Sequence, residues 1–312
     1  MKRYVQTFIW AVVFLLLTAF NVYAAQKLTL MLDWFPNIDH LPLYVAQKQG
    51  LFAAEGLEIE ILNPSETTDA LKLAASNNVD LAVSYQPQAV IGASRGLPIR
   101  VVGRLVEHPL GVLLFLKGKG IEKPTDLEGK KIGYTVPGME DILTEAFAKI
   151  NGIKQYTPVN VGFTIVPSLV SNKVDAIKGP YKNYETVALA EKGYESDYFE
   201  LGEWGIPDYD ELVFICGAKA LEKKEKAIRA FVRAVDVAIK KTRNDPAGAL
   251  EMYFKAVPEA PQSMERKAFE ITLPLYAHTQ KHDIERWRKF AEFASQYRLI
   301  DKKVDVRTIL YN

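Results

Sequence analysis

The sequence predicts an α/β fold of two lobes followed by a helical C-terminal tail. The order strand, helix, strand, helix, strand occurs twice, and a short helix–turn–strand sequence recurs at the same place in both copies. After residue 220, four segments carry apolar residues at helical spacing. Together these patterns favour mixed, mostly parallel sheets arranged as a clamshell with a cleft between the lobes.

The first copy begins with an alternating, β-rich strand, KLTLMLDW, at residues 27–34. A stretch with helical spacing follows and ends at Gly56, and LEIEIL at residues 57–62 is the second strand. Residues 67–84 then read as a helix, a turn and a third strand, VDLAVS.

The second copy repeats this order. KKIGYTV is a strand at residues 130–136, and residues 139–152 form a helix closed by Asn-Gly. The sequence SNNVD at residues 76–80 matches SNKVD at residues 171–175, each between a helix and a strand. We interpret the aspartate that ends each motif as a turn residue rather than a ligand-binding residue.

Two apolar segments, GVLLFL at residues 111–116 and ELVFIC at residues 211–216, are interpreted as crossovers between the lobes. Lobe 1 is therefore predicted to comprise residues 26–113 and 214–312, the latter including the helical tail, and lobe 2 to comprise residues 114–213.

The composition of the 312 residues is globular, with 48% hydrophobic and 25% charged residues and a net charge of +1. Because there is no basic field, nucleic acid is not an expected partner. The single cysteine, Cys216, excludes an intrachain disulfide, and its apolar setting indicates a buried side chain. The sequence carries no Walker, zinc-protease or nucleophile-elbow motif, and we predict neither a metal site nor a cofactor.

The N-terminus predicts export. A cationic start, MKRY, precedes an uncharged apolar run from Phe8 to Phe20, and Val22 and Ala24 are small residues at a plausible cleavage site. The alternative is a membrane anchor, but the run is shorter than the roughly 20 residues of a spanning helix. We expect a signal peptide at residues 1–24, cleavage near Ala24 and a periplasmic protein.

Loops that follow strands are candidate cleft walls, because ligands bind beyond the carboxyl ends of strands in open α/β sheets. Those loops combine aromatic rings with acids and amides, and Lys182 is their only cation. Each side chain also has a structural interpretation: a core or lobe-interface role for the indole, capping of a core for the tyrosines, and local backbone bonding for the histidine and glutamate. The predicted ligand-binding residues are Asp33, Trp34, Asn37, His40, Ser84, Tyr85, Gly138, Tyr181, Asn183, Glu185 and Tyr209.

Aromatic faces beside acids suit a planar heterocycle that carries N–H donors, whereas an oxyanion requires cationic or amide donors. The sequence therefore favours a small, flat heterocyclic ligand.

Particular segments resemble known proteins. PTDLEGKKIGYTVPG resembles a feature of many periplasmic solute-binding proteins of ABC importers. LDWFPNIDHLPLYVAQKQGLFAAEGLEIEI, GPYKNYE and GIPDYDELVF resemble the thiamine-pyrimidine-precursor binding proteins, a family shared with the eukaryotic pyrimidine synthase of thiamine biosynthesis. The similarity covers residues 27 to about 290 and implies the type II clamshell fold of periplasmic binding proteins.

This resemblance implies an aminomethyl- or hydroxymethyl-methylpyrimidine ligand, with or without a formyl group, and an ABC permease as partner. Trp34 and a tyrosine from GPYKNYE or SYQPQ would sandwich the ring, and Glu185 would accept a hydrogen bond from the exocyclic amine. The floor would be shaped by Asp33, Asn37 and His40, and the Gly138 loop would meet ring substituents. We expect a monomer.

Two alternatives stay open. The same fold could bind riboflavin or a sulfonate-type solute, although the shortage of cations disfavours a sulfonate. The chain could instead be a synthase-like enzyme. The eukaryotic synthase that it resembles carries a lysine and a histidine where this chain has Ser84 and Gln88, and its cysteine cluster reduces here to Cys216. We therefore predict a binding protein and not an enzyme.

Overall fold

The computed structural model describes residues 25–311 as two α/β lobes, each built on a five-stranded sheet. The predicted signal peptide lies outside the described residues. The strands are β1 (Gln26–Met31), β2 (Leu57–Leu62), β3 (Leu81–Ser84), β4 (Ile99–Val106), β5 (Gly111–Leu116), β6 (Lys131–Tyr134), β7 (Thr157–Asn160), β8 (Ala176–Tyr181), β9 (Ser196–Glu200) and β10 (Leu212–Gly217). The α-helices are α1 (Leu41–Lys48), α2 (Leu51–Ala54), α3 (Asp69–Ala75), α4 (Gln86–Ser94), α5 (Glu140–Ile150), α6 (Ile165–Val170), α7 (Glu185–Glu191), α8 (Ala218–Asn244), α9 (Pro246–Ala256), α10 (Gln262–Thr272) and α11 (Ile284–Gln296).

Both sheets have the same topology. The strand order is β2-β1-β3-β10-β4 in lobe 1 and β7-β6-β8-β5-β9 in lobe 2. In each sheet the first three strands pair in parallel, and the fourth position holds an antiparallel strand contributed by the part of the chain that has just crossed between lobes. The predicted α/β class with mixed, mostly parallel sheets is confirmed.

The sequence repeat corresponds to a structural repeat. Asn77 and Asn172 both adopt left-handed backbone conformations, with φ of 60° and 57°, which asparagine tolerates better than most residues. Asp80 Oδ2 and Asp175 Oδ2 each accept a hydrogen bond from a backbone amide of the neighbouring parallel strand, at 3.0 Å and 2.8 Å. Each aspartate therefore ties the turn before one strand to the adjacent strand.

The crossings between lobes lie beside the apolar segments and not within them. Strand β5 belongs to the second sheet from Gly111 onward, and β10 belongs to the first sheet from Leu212 onward. The predicted boundaries after residues 113 and 213 therefore fall inside strands, and the chain crosses at residues 107–110 and 205–211 instead. Both strands are buried along their whole length, so their continuous apolar sequence reflects a central position in a sheet.

The returning crossing is fixed to lobe 1 by a buried carboxylate. Asp210 Oδ1 accepts hydrogen bonds from Arg104 Nη2 at 2.6 Å and Arg286 Nη1 at 2.9 Å, and Oδ2 accepts one from Trp287 Nε1 at 2.8 Å. Arg104 is on β4, and the other two donors are on α11. The chain is therefore anchored just before it enters β10.

The helical tail packs on lobe 1 and also reaches lobe 2. Phe52 of α2 stacks on Phe231 of α8, with ring centroids 5.6 Å apart. Helix α10 lies against α7, where Lys267 Nζ is 3.1 Å from a carboxylate oxygen of Glu191. Cys216, in the interior strand β10, is fully buried as predicted. The tail therefore forms part of the boundary between the lobes.

The Asp210 anchor predicts a large loss of stability when its carboxylate is removed. Asp210→Ala removes the carboxylate that the buried Arg104 guanidinium contacts at 2.6 Å and leaves it the longer contact with Glu107 at 3.4 Å, and we expect the free energy of unfolding to fall by about 3–5 kcal/mol. Asp208→Ala is the matched control, because this half-exposed carboxylate contacts Arg286 at 3.2 Å and should contribute about 0–1 kcal/mol. Urea denaturation measures both, and equal effects of the two substitutions would contradict the anchor.

Candidate ligand-binding site

A cavity lies between the lobes at the carboxyl ends of the parallel strands. It encloses about 480 Å³ of space free of protein atoms, including the part open to solvent. Both lobes contribute walls. The lining residues are Asp33, Trp34, Asn37, Asp39, His40, Tyr85, Thr135, Val136, Glu140, Ile165, Gly179, Tyr181, Tyr184, Glu185 and Leu212.

The loop after β1 folds into a compact polar floor. Asn37 caps the 3-10 helix Ile38–His40, its side chain accepting a hydrogen bond from the Asp39 amide at 2.9 Å. The two oxygens of Asp33 are held separately, by His40 Nε2 at 2.8 Å and by the Tyr85 hydroxyl at 2.8 Å. The predicted floor residues therefore meet in one network, in which the tyrosine comes from the end of β3.

The Trp34 indole lies in the cavity wall at the boundary between lobes. Its ring packs edge-on against Phe163 of lobe 2, with ring centroids 4.5 Å apart, and Phe35 packs on the same phenylalanine at 4.8 Å. Trp34 also contacts the hydrophobic core of lobe 2. The indole thus lies both in the wall of the cavity and at the lobe interface.

Lobe 2 contributes an aromatic wall that is connected to the crossings. The Tyr181 hydroxyl donates to Glu211 Oε1 at 3.1 Å, while Glu211 Oε2 accepts from the backbone amides of Leu110 at 2.6 Å and Gly111 at 2.8 Å. The Tyr181 amide donates to Glu185 Oε2 at 2.7 Å. Glu211 therefore joins a ring of the cavity wall to both segments that connect the lobes.

Asp39 joins the lobes on the opposite side of the cavity. Its Oδ1 accepts hydrogen bonds from Asn183 Nδ2 of lobe 2 at 2.8 Å and from Thr272 Oγ1 of α10 at 2.9 Å. Asp39 is 1% exposed, and its Oδ2 has no hydrogen-bond partner among the described residues. One oxygen is thus fixed by closure of the lobes, and the other is buried and available.

Four predicted site residues lie outside the cavity walls. Ser84 donates to Gln88 Oε1 at 2.6 Å, and Asn183 directs its amide nitrogen to Asp39 and Thr272. The other two have structural roles: Gly138 has a φ of 82° and donates its amide to Asp141, and the buried Tyr209 packs against Phe290.

The cavity also contains residues that were absent from the predicted set. Asp39 and Tyr184 lie in loops that the sequence singled out, next to predicted residues. Gly179 is required by the packing of the cavity wall. A Cβ at this position would lie 2.1 Å from Thr135 Oγ1, so a larger residue does not fit. The remaining additions are Thr135, Val136, Glu140, Ile165 and Leu212. Ile165 and Leu212 are apolar, so nothing in the sequence distinguishes them from core residues.

Lys178 is a buried cation next to the cavity residue Glu140. Lys178 Nζ lies 2.6 Å from Glu140 Oε2, an ion pair whose angles are not those of an aligned hydrogen bond. Lys178 is fully buried and comes from inside β8, so an apolar strand pattern conceals it. Because the ammonium is already paired, Glu140 presents a compensated carboxylate to the cavity.

Burial shifts the acids of this region toward their protonated forms. Burial raises the pKa of Asp39 to about 6, although His40 and the Thr272 and Asn183 hydrogen bonds oppose it. Burial also raises the pKa of Glu185 and of Glu211 to about 7, against the opposing effect of backbone amides. Behind Asp39, burial and that neighbouring carboxyl raise the pKa of Glu265 to about 8. A hydrogen-bond donor placed against any of these carboxyl groups would stabilise its ionised form and lower its pKa.

Among residues 25–311, no cluster of three or more His, Cys, Asp or Glu side chains could hold a metal ion.

A family model described as "NMT1/THI5 like" matches residues 37–249. The chain belongs to the NMT1/THI5-like family. It is 35% identical over 289 residues to a protein of Haemophilus influenzae named for thiamine biosynthesis, covering 91% of each chain. It is also 35% identical over 262 residues to the formylaminopyrimidine-binding protein of Halalkalibacterium halodurans, covering 82% of this chain and 79% of that protein.

More distant members of the NMT1/THI5-like family include enzymes. The chain is 27% identical to the 4-amino-5-hydroxymethyl-2-methylpyrimidine phosphate synthase of Uromyces fabae, covering 89% of this chain and 84% of that one. Among solved structures, the periplasmic aliphatic sulphonate binding protein of Escherichia coli superposes with a TM-score of 0.70 at 15% identity, covering 92% of each chain. That likeness establishes the periplasmic binding protein fold predicted from the resemblance.

The buried glutamate behind Asp39 predicts how stability varies with pH. Because the pKa of Glu265 is raised from 4.5 to about 8, the folded state binds this proton more tightly than the unfolded state does. Its contribution to stability is therefore complete below about pH 4.5 and is lost as the pH rises through about 8.

We expect Glu265→Gln to flatten the fall in the free energy of unfolding between about pH 4.5 and 8, a change of several kcal/mol at most. Chemical denaturation across this range measures the slope. Glu270→Gln, at an exposed position of the same helix, is the control and should keep the wild-type slope. Parallel pH profiles for wild type and Glu265→Gln would show that Glu265 titrates normally.

Proposed function

We propose that this protein is an extracytoplasmic solute-binding protein that captures a pyrimidine precursor of thiamine in the interlobe cavity and delivers it to an ABC permease. The observation that carries the proposal is the composition of the cavity: aromatic rings and buried hydrogen-bond acceptors from both lobes, in a chain of the NMT1/THI5-like family. The 35% identity to a formylaminopyrimidine-binding protein supports the ligand class.

The cavity residues support recognition of a flat aminopyrimidine. Trp34 and Tyr181 offer aromatic faces from opposite lobes, and each stacked ring contributes about 0.5–1.5 kcal/mol beyond its buried area. A hydrogen bond from an exocyclic amine to the Glu185 carboxyl adds roughly 1.5–3 kcal/mol. Together these interactions supply much of the roughly 8 kcal/mol that micromolar affinity requires.

A sulfonate ligand fits the cavity poorly, although a structural neighbour of this fold binds sulphonates. Among the described residues that line the cavity there is no arginine or lysine, and the nearby Lys178 is paired with Glu140. An oxyanion would therefore meet carboxyl groups where it needs donors. Riboflavin stays as the competing heterocycle, which the ligand screen below separates.

The positions that distinguish the synthase also favour a binding role. Ser84 and Gln88, which stand where the eukaryotic synthase carries a lysine and a histidine, are buried and hydrogen-bonded to each other at 2.6 Å. Neither side chain lines the cavity. This neutral pair has no basic group for acid–base chemistry, so we propose capture and release of the ligand without a reaction.

The proposed transport cycle depends on closure of the lobes around the ligand. The closing contacts include the hydrogen bond from Asn183 to Asp39 and one from Thr67 Oγ1 to the Thr135 carbonyl at 2.9 Å. A ligand that touches both walls stabilises the closed form through contacts that the open form lacks. A membrane permease then recognises the closed monomer. We further propose that residues 1–24 direct export to the periplasm; within residues 25–311, none of the helices has the length and apolar character to cross a bilayer.

Ligand screening by thermal unfolding tests the proposed function. A ligand at one hundred times its Kd stabilises the folded protein by about 2.7 kcal/mol, so a specific ligand raises the melting temperature clearly. We expect stabilisation by 4-amino-2-methylpyrimidines with a substituent at position 5. Stabilisation by riboflavin or taurine, with no response to the pyrimidines, would contradict the proposal.

Trp34→Ala tests the indole as a ligand wall. Losing one aromatic face should weaken pyrimidine binding by at least about tenfold, because stacking and buried area are lost together. Phe35→Ala is the neighbouring control: this ring is 48% exposed and does not line the cavity. Isothermal titration calorimetry gives both affinities. Unchanged binding to Trp34→Ala would assign the indole to the lobe interface alone.

A further inference from the structure

The cavity contains buried acceptors that the protein itself leaves unused. Of the described side chains that line it, Asp39 Oδ2, His40 Nδ1 and Glu140 Oε2 are buried without a hydrogen-bond partner. Glu140 Oε2 lies beside the Lys178 ammonium, which compensates its charge. Asp39 Oδ2 and His40 Nδ1 have no lysine beside them, and the two residues are adjacent in the sequence.

The surroundings of Asp39 fix which of its oxygens is free. Asn183 and Thr272 both donate to Oδ1, so the carboxyl plane is held from two directions by a residue of lobe 2 and a residue of the tail. Oδ2 is left buried without a donor, which costs free energy unless a ligand supplies one. Because Asn183 reaches Asp39 across the lobe boundary, this oxygen is oriented when the lobes are closed.

His40 provides a second unpaired acceptor among the side chains that line the cavity. Both oxygens of Asp33 accept hydrogen bonds, one from the Tyr85 hydroxyl and the other from His40 Nε2. When the imidazole is neutral, its proton therefore lies on Nε2 and its Nδ1 carries a lone pair. The imidazole thus adds a second unpaired acceptor to the side chains that line the cavity.

The charged groups around Asp39 indicate whether the donor group of the ligand should itself be charged. The carboxyl groups in contact with the cavity or directly behind Asp39 are those of Asp33, Asp39, Glu140, Glu185, Glu211 and Glu265. Within residues 25–311, the ion pair available to them that does not depend on a histidine proton is Lys178 with Glu140, and His40 contacts Asp33. A buried region with more acids than cations is stabilised by a ligand that brings positive charge.

We propose that Asp39 is a specificity-determining residue that selects a ligand bearing a protonated primary amine, whose ammonium group donates to Asp39 Oδ2. This inference rests on the proposed function and narrows it: an aminomethylpyrimidine in its ammonium form is preferred to the neutral hydroxymethyl and N-formyl derivatives. An ammonium group has three donors, one of which satisfies Oδ2.

The test compares three ligands that share one ring: 4-amino-5-aminomethyl-2-methylpyrimidine, its N-formyl derivative and the 5-hydroxymethyl analogue. Isothermal titration calorimetry near pH 7 should show that the wild-type protein binds the free amine at least about tenfold more tightly than either neutral compound. Asp39→Asn keeps an acceptor for Asn183 and Thr272 but removes the charge. It should reduce this preference to about threefold or less, measured as the ratio of the two affinities in the same variant.

Asp301→Asn, which removes a carboxylate at an exposed position outside the cavity, is the control and should keep the wild-type preference. If the Asp39→Asn chain does not fold, Asn183→Ala provides the second variant, because losing the amide that orients Asp39 should also lower the preference for the amine. Equal or tighter binding of the N-formyl compound by the wild type overturns this inference and leaves the proposed function standing. Retention of the amine preference by Asp39→Asn overturns it as well. Failure of all three pyrimidines to bind overturns the proposed function together with the inference.

Discussion

The structure depends on carboxyl groups being buried where the two lobes meet. An ionised acid out of water is costly unless it is paired or hydrogen-bonded, so each of these groups constrains the chain around it. Asp210 fixes the returning crossing through two arginines and an indole, and Glu211 holds both crossings through backbone amides. The path of the chain between the lobes therefore follows from one requirement, that the buried acids of the crossings find donors.

That requirement also links ligand capture to closure. The contacts that join the lobes around the cavity include the apolar packing of Trp34 and Phe35 on Phe163. The polar contacts, such as that between Asn183 and Asp39, form between groups that water would otherwise solvate. Their net contribution is about 1 kcal/mol each, so a ligand that touches both walls can shift the balance between open and closed forms.

The fold was predictable because the sequence patterns that indicate it are short and occur twice. The two SN-x-VD turns mark equivalent places in two sheets of equal topology, and the rule that sites lie beyond the carboxyl ends of strands led to Trp34, Tyr85 and Tyr181. The rule locates a loop but does not give the direction of a side chain. Asn183 turns from the cavity because its partners are Asp39 and Thr272, both distant in sequence, and no local pattern contains them. The ion pair behind the wall was hidden for a similar reason, since its lysine lies inside an apolar strand.

The lone thiol of this chain has a practical consequence. Cys216 is enclosed in β10, an interior strand of the first sheet, and burial raises its pKa to about 12, so little reactive thiolate is present near neutral pH. A surface cysteine introduced into each lobe would therefore be alkylated selectively without altering the native sequence at β10. Paired fluorophores at such positions would convert the movement of the two lobes into an optical signal, making the protein a starting scaffold for a reagentless sensor of its own cargo.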